Sequence, residues 1–386
     1  MKRTRYIPET PAELTPQWLT QVLTESGILT DGQHVISTTQ EVLGDGEGFL
    51  GDLLRLNLTY DHSDAGPASM VAKLPKLANR AVGELLGAYE RETLYYLDLA
   101  ARVPLNAPRL YFGDFDRDKA SEKQLQILRA ADSMPAWLSS LTANLGRFIA
   151  ARKKRRYILL LEDIDDARPG DQLRGVSLAD ADRVLQEIAC VHAEFWGTTP
   201  VEHFWLMPLD VDTNMRHNMF LKSLPVFEEA FKDEVDDGLD VHLDLIVEQN
   251  VNLMAELCRA PPTLLHCDLR LDNVFFREDE VVLFDFQLVR HGPAAYDLAY
   301  FLSGALDDDV TQADIDGLLT RYHEKLTTLG VMGYRLPDLL RHYRVALLVV
   351  LSSLSTIDQM DMGDGRGMDL IRSWIHRLHA RLKTCT

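Results

Sequence analysis

No apolar run in this sequence approaches the roughly 18 residues that a membrane-spanning helix needs. The longest candidate, Val345–Leu351, is far too short, so no membrane association is expected. The first residues, Met1–Thr10, are polar and include Pro8, with Pro11 just beyond. The apolar stretch of a secretory signal is therefore missing, and the expected location is cytoplasmic. Cysteine is scarce: Cys190, Cys258, Cys267 and Cys385 make four. No two form a C-x-x-C pair, and their spacing fits no zinc pattern. In a long chain without an export signal a disulfide framework is not expected, and the four read as reduced thiols. Positive charge is also short, with 40 Lys and Arg against 59 Asp and Glu and a net charge of −19. Nucleic-acid phosphates would be repelled, so no nucleic-acid partner is expected. The acidic excess suits a cationic substrate, although acidity also serves solubility alone. The one basic run, Arg152–Arg156, precedes an apolar strand and reads as its solvated entry.

What is present is ordinary globular material. Hydrophobic residues make up 46% and charged residues 26%, and 386 residues suffice for a large core in one or two domains. The first third reads as mixed α/β. Pro16 opens a short helix over Thr15–Ser26. A glycine-rich turn within Val42–Gly51 leads into the alternating run Leu53–Tyr60, the pattern of a half-buried strand. Ser69–Leu74, Arg109–Phe115 and Tyr157–Glu162 are further strands, and Val82–Arg102 has helical periodicity without proline. These elements predict a small antiparallel sheet with one helix packed on it. From Ser177 the pattern turns helical, with Leu178–Trp196 and Leu243–Cys258 as strong amphipathic helices. The short strands Val274–Phe276 and Val281–Phe284 interrupt them. Pro169, Gly170 and several charges mark a boundary near Asp163–Leu173. About forty residues separate Phe115 from Tyr157, where a hairpin needs only a few. Met134, Trp137, Leu138, Leu141, Leu145, Phe148 and Ile149 share one helical face there, predicting a helix over part of the smaller lobe, a lid, or a dimer contact.

The most specific signal is His266-Cys267-Asp268-Leu269-Arg270-Leu271-Asp272-Asn273, followed by a hairpin and Asp285-Phe286-Gln287. The order is His-x-Asp, Asn five positions after the Asp, two short strands, then Asp-Phe. It is the order of the phosphoryl-transfer site of kinases. Phosphoryl transfer needs a carboxylate to orient and deprotonate the attacking hydroxyl, and Asp268 fits. It needs hard oxygen ligands for magnesium, and Asn273 and Asp285 offer one oxygen each. Asp and Asn also favour turns, so each alone has a structural reading. The ordered set is what points to chemistry.

The first third supplies matching parts. Lys73 sits inside the apolar strand Met70-Val71-Ala72-Lys73, where an ammonium needs a partner. ATP phosphates and Glu92 on the following helix are the expected partners, with Glu90 as a rival that points elsewhere. Gly44, Gly46 and Gly48 let backbone amides approach phosphates, although glycine loops are also common turns. No helix follows them, which argues against a dinucleotide fold. The strand Ile158–Asp163 runs into the boundary, and main-chain atoms from Glu162 to Ile164 are expected to meet adenine.

At these residues the sequence resembles the aminoglycoside phosphotransferase and choline kinase-like superfamily, closest to its ecdysteroid-kinase-like branch. The resemblance rests on His266–Asn273, Asp285, Gly292-Pro293-Ala294-Ala295-Tyr296-Asp297-Leu298-Ala299, Leu160–Asp163 and Cys190-Val191-His192-Ala193-x-x-Trp196. It covers Gly44 to the C-terminus. It implies an α+β, protein-kinase-like two-lobed fold, with a nucleotide-binding lobe over 1–163 and a catalytic, acceptor-binding lobe over 164–386. It implies ATP, magnesium and transfer to a hydroxyl of a small molecule, aminoglycoside-, choline- or sterol-like. It also implies that Asp297 braces the catalytic loop and that Arg270 touches the γ-phosphate. The sequence departs from the family at Cys267, where glycine is usual. Eleven residues separate Asp285 from Asp297, too few for the long activation segment that docks peptides, so a small acceptor is expected. The alternative is a catalytically impaired binding protein of the same fold. Trp196, Trp205, Met207, Met219 and Phe220 read either as an apolar acceptor wall or as core. The acidic stretch Asp358–Gly367, with Asp358, Asp361 and Asp364, is a candidate rim.

Overall fold

The computed structural model describes residues 6–43, 51–117, 123–135, 152, 155–198, 203–356 and 365–384. The chain forms two compact units. The first comprises Met1–Arg102, Ala107–Lys119 and Ala143–Asp166, and the second Val103–Asn106, Ala120–Thr142 and Ala167–Thr386. The main boundary between them falls at Asp166–Ala167. Gly44, Gly46 and Gly48, residues 137–149 of the inserted segment, the rim carboxylates Asp358, Asp361 and Asp364, and Cys385 lie outside the described residues.

The first unit is built on five antiparallel strands, β1 (Val35–Leu43), β2 (Gly51–Tyr60), β3 (Ser69–Pro75), β4 (Leu110–Phe115) and β5 (Tyr157–Glu162), in the order β1-β2-β3-β5-β4. β5 is interior to the sheet, and all of Tyr157–Leu161 is buried, which explains its unbroken apolar run. Helix α1 (Pro16–Glu25) begins with Pro16, and the Thr15 hydroxyl caps it by accepting from Trp18 N at 3.2 Å. Its buried face, Trp18, Leu19, Val22 and Leu23, joins Leu54, Leu56, Met70, Ala72, Ile158 and Leu160 in one core. The helix expected over Val82–Arg102 is instead broken. α2 (Arg80–Leu86) stops at Gly87, whose φ of +66° only glycine adopts readily, and α3 (Ala88–Leu94) restarts in a new direction. α3 carries both Glu90 and Glu92.

The second unit is largely helical. Helix α4 (Gln124–Asp132) is the described helix of the inserted segment. It packs in this unit against α6 (Thr213–Ala230), where Asp132 accepts from Asn214 Nδ2 at 3.0 Å and Met215 N at 2.8 Å. The helical face expected over residues 134–149 lies almost wholly outside the described residues. α5 (Leu178–Glu194) is capped by Ser177 and pairs with α9 (Gln312–Thr328). α10 (Leu336–Leu354) is buried on all sides over residues 346–352 and touches α7 (Asp240–Leu257), α8 (Ala295–Ala305) and α11 (Gly365–Thr384).

Two small antiparallel sheets lie among these helices. One pairs β7 (Pro262–Leu265) with β10 (Arg290–Pro293), and the other joins β6 (Arg168–Pro169), β8 (Val274–Phe276) and β9 (Val281–Leu283). β7 and β10 were not apparent in the sequence. They frame the loop that starts at His266. Gly170, just after β6, donates its N–H to Val274 O at 2.8 Å, and any Cβ there would meet Leu271 O at 2.2 Å. Glycine is required because backbone packs on backbone at the motif loop. Among the described residues Cys190, Cys258 and Cys267 form no disulfide, and no helix is long and apolar enough to cross a membrane.

Candidate active site

β7 ends at Leu265 and delivers His266–Asn273 as an almost wholly buried loop. Asp297, in the first turn of α8 and fully buried, holds its start. One carboxylate oxygen accepts from His266 N at 2.7 Å, the other from Cys267 N at 2.9 Å. His192 on α5 approaches the same carboxylate at 3.4 Å through Nε2, while its Nδ1 meets the Tyr322 hydroxyl at 2.7 Å. His266 fixes the other side. Its Nε2 lies 3.0 Å from Phe284 O, and its Nδ1 accepts from Asp268 N at 3.3 Å, which assigns the ring proton to Nε2. Cys267 adopts φ +62°, the left-handed region. The departure from the usual glycine therefore falls where a Cβ is strained.

Asp268 is 6% exposed. Its Oδ1 accepts from the Tyr300 hydroxyl at 3.0 Å, and its Oδ2 from Asn273 Nδ2 at 3.1 Å. Arg270 Nε stands 3.5 Å from Oδ1, and its Nη1 stands 3.6 Å from Asp272 Oδ2. Burial raises the Asp268 carboxyl above the ordinary carboxylate range, and the charge of Asp285 adds to this. Arg270, His266 and the Tyr300 hydrogen bond oppose it. For Arg270 burial is the largest influence and pulls down, but the carboxylates of Asp268 and Asp272 outweigh it and the guanidinium is raised further. Arg270 therefore stays charged beside the carboxylate.

Asn273 also donates through Nδ2 to Asp268 O at 2.9 Å. That leaves its amide oxygen as the atom able to act as a ligand. Phe284 N donates to Asn273 O at 3.2 Å, so the hairpin brings the residue before Asp285 against Asn273. Asp285 has φ +67°, and its charge bears on both Asp268 and Arg270. An amide oxygen and a carboxylate are hard ligands that suit magnesium. Among the described residues no group of three or more His, Cys, Asp and Glu can hold a metal by itself. A cation here would take further ligands from a bound phosphate.

In the first unit Lys73 on β3 meets Glu92 on α3, Nζ to carboxylate 2.8 Å, with both side chains largely buried. The rival Glu90 instead meets Arg155 Nη1 at 2.7 Å. Arg155 also holds Glu84 at 2.7 Å and is 12% exposed, so the solvated reading of the basic run fails at this residue. The Glu162 N–H donates to Arg109 O at 2.8 Å and its carboxylate accepts from Arg109 N at 3.0 Å. The pairing of the chain around β4 and β5 thus occupies the Glu162 N–H. Asp163 is held by a bidentate Arg55, at 2.7 and 3.1 Å, and Ile164 is buried.

The aromatic and methionine set does not form one wall. Met207 and Phe220 are core, Trp205 is buried, Met219 is exposed, and Trp196 packs on Tyr334 with ring centroids 5.1 Å apart. The sequence reading missed Tyr300, one position past the quoted Gly292–Ala299 segment. It also missed Gln172, whose Oε1 accepts from Leu271 N at 2.8 Å and whose own N–H donates to Asp272 at 2.9 Å. A buried Tyr in a helix carries no sequence mark beyond apolar periodicity. Gln172 could have drawn notice only by its place in the Pro169-Gly170 boundary.

A sequence model described as the Ecdysteroid kinase-like family matches residues 126–334, more than half of the chain. Three solved structures are similar over most of their length. A choline kinase from Cryptosporidium parvum is 9% identical, with 94% of this chain and 95% of that one covered and a TM-score of 0.48. A Plasmodium vivax ethanolamine kinase is 13% identical, with 89% and 82% covered and a TM-score of 0.47. The gentamicin complex of an aminoglycoside phosphotransferase is 14% identical, with 93% and 94% covered and a TM-score of 0.46. No curated protein matches the chain.

Proposed function

The chain belongs to the ecdysteroid kinase-like family, and on that premise we propose that it moves the γ-phosphate of ATP to a hydroxyl of a small molecule. The observation that carries this reading is Asp268: a buried carboxylate with both oxygens engaged, on a loop held by Asp297, with oxygen ligands from Asn273 and Asp285 close by. In the proposed reaction the acceptor oxygen attacks Pγ, the bond from Pγ to the β–γ bridging oxygen breaks, and ADP leaves. Asp268 orients the hydroxyl and takes its proton. Its burial favours the protonated product of that step. Arg270 keeps a positive charge beside the transferring phosphoryl group, and Lys73, steadied by Glu92, holds the α- and β-phosphates. The glycines at 44, 46 and 48 are assigned to the same phosphates, and the chain from Glu162 to Ile164 to the base, with the Glu162 amide excepted. Asn273 and Asp285 would hold magnesium, which supplies neutralising charge on the phosphates. The acceptor is an aminoglycoside-, choline- or sterol-like alcohol, in keeping with a net charge of −19 in the first two cases.

The test is phosphate transfer from Mg-ATP to these three classes of hydroxyl compound, with wild type and Asp268→Asn compared. The variant is expected to lose turnover by about 10²- to 10⁴-fold, the usual contribution of a positioned base, with AMP-PNP affinity and melting temperature kept. Turnover near the wild-type value in Asp268→Asn would sink the assignment.

A further inference from the structure

The carboxylate of Asp268 has a neighbour that no motif announces. Tyr300 on α8 donates to Oδ1 at 3.0 Å, while Asn273 donates to Oδ2 at 3.1 Å. The two donors grip different oxygens, so the carboxylate plane is held at both ends. Without Tyr300 no hydrogen bond would hold Oδ1, which would then face only the Arg270 guanidinium 3.5 Å away. Each carboxylate oxygen has about two lone-pair sites, so this grip still leaves room for the acceptor hydroxyl and narrows its direction.

Tyr300 is itself held from two sides. Its ring meets Trp374 edge-on at 4.7 Å and stacks on Tyr296 at 6.0 Å. The Trp374 indole N–H donates to Ser303 Oγ at 3.1 Å, and Ser303 Oγ in turn donates to Tyr300 O at 3.3 Å. The C-terminal helix α11, about a hundred residues beyond the motif loop, thus reaches Asp268 through one tyrosine. Burial first, and the Asp268 charge second, keep the phenol protonated well above its usual range. It is a permanent donor.

We propose that Tyr300 is a positioning residue for Asp268, fixing with Asn273 the direction of the lone pair that receives the acceptor proton. This rests on the reading of Asp268 as the base. A displacement of about 1 Å in such a group can lower rate about a hundredfold. Tyr300→Phe keeps the ring and its packing and removes only the donor. In the full-length chain it is expected to lower kcat about tenfold or more, with the KM for Mg-ATP and the affinity for AMP-PNP unchanged. In its crystal structure the Asp268 carboxylate is expected to be turned about χ2 relative to wild type.

The crystal arm needs no known acceptor. An unturned Asp268 in Tyr300→Phe overturns the proposal, and so does wild-type kcat in that variant. A fall in melting temperature or nucleotide affinity that accounts for the whole loss also overturns it, since a merely structural tyrosine would act that way. Failure of the base reading would show elsewhere, as retained turnover in Asp268→Asn.

Discussion

A side chain in the left-handed region carries a penalty that glycine does not, about 1–2 kcal/mol. Cys267 sits there at φ +62°, with its N–H tied to Asp297 at 2.9 Å and its thiol buried. The Asp297 bond explains why the conformation persists: the motif loop is anchored at this amide whatever side chain it bears. The strain predicts an inverted order of stability. Cys267→Gly and Cys267→Ala both lose the thiol, but only alanine keeps a Cβ. The glycine variant is expected to be the more stable of the two by about 1 kcal/mol. Chemical unfolding of both measures it, and alanine equal to or above glycine would refute the strain account. The His-x-Asp spacing was legible because it is a fixed local pattern. The strain was not, because a φ angle is set by the fold.

At the scale of elements, Arg155 ties both helices of the pair α2–α3 to the start of β5, alongside the contact of Tyr89 with Tyr157. Arg155 reaches Glu84 through Nε and Nη2 and Glu90 through Nη1, and its guanidinium lies 5.3 Å from the Tyr157 ring centroid. Glu84 and Glu90 are almost fully buried. Burial is the largest influence on the guanidinium and pulls it down, but its partners outweigh burial and raise it. Removing one member of such a cluster leaves buried charge without compensation, which typically destabilises by roughly 3–5 kcal/mol. Arg155→Met is therefore expected to lower unfolding free energy by about 3 kcal/mol, and a loss below about 1 kcal/mol in denaturant titration would contradict it. Because α3 also carries Glu92, the same variant should loosen the Lys73–Glu92 pair. In the sequence Arg155 is one of several consecutive cations. Nothing local in the sequence marks Arg155 as the buried one.

Over the whole molecule, several histidines are desolvated without gaining an adequate counter-charge. His217, His242, His291, His342 and His379 all have lowered pKa values, with burial the first cause in each. The sign follows from linkage. Below the unfolded value of about 6.5 the unfolded chain binds protons that the folded chain refuses, so stability falls as pH falls. Glu187 and Asp268, whose carboxyls are raised chiefly by burial, act in the opposite sense. Five groups against two set the net direction. The melting temperature of the ligand-free protein is expected to drop between pH 7.5 and pH 5.5. A flat or rising profile across that interval would refute the prediction.

Local pattern was enough for strands β2 to β5, the capped helices α1 and α5 and the order in which Asp268, Asn273 and Asp285 follow one another, but not for β1. These depend on periodicity, capping chemistry and fixed spacing, which the chain carries wherever it folds. The Lys73–Glu92 pair was also within reach, since a strand lysine needs a partner and the next helix offers two. Tertiary structure alone decided the rest. Glu162 lost its amide to Arg109 because a neighbouring segment happened to pair with it. Helix α4 is tied to α6 by Asp132, which meets Asn214 and Met215. Tyr300 and Gln172 reached the motif loop, and Trp374 reached Tyr300, across long separations in sequence. A hydrogen bond between residues a hundred positions apart depends on where two elements dock. Docking minimises exposed apolar surface over the whole chain at once, so no short window of sequence contains it.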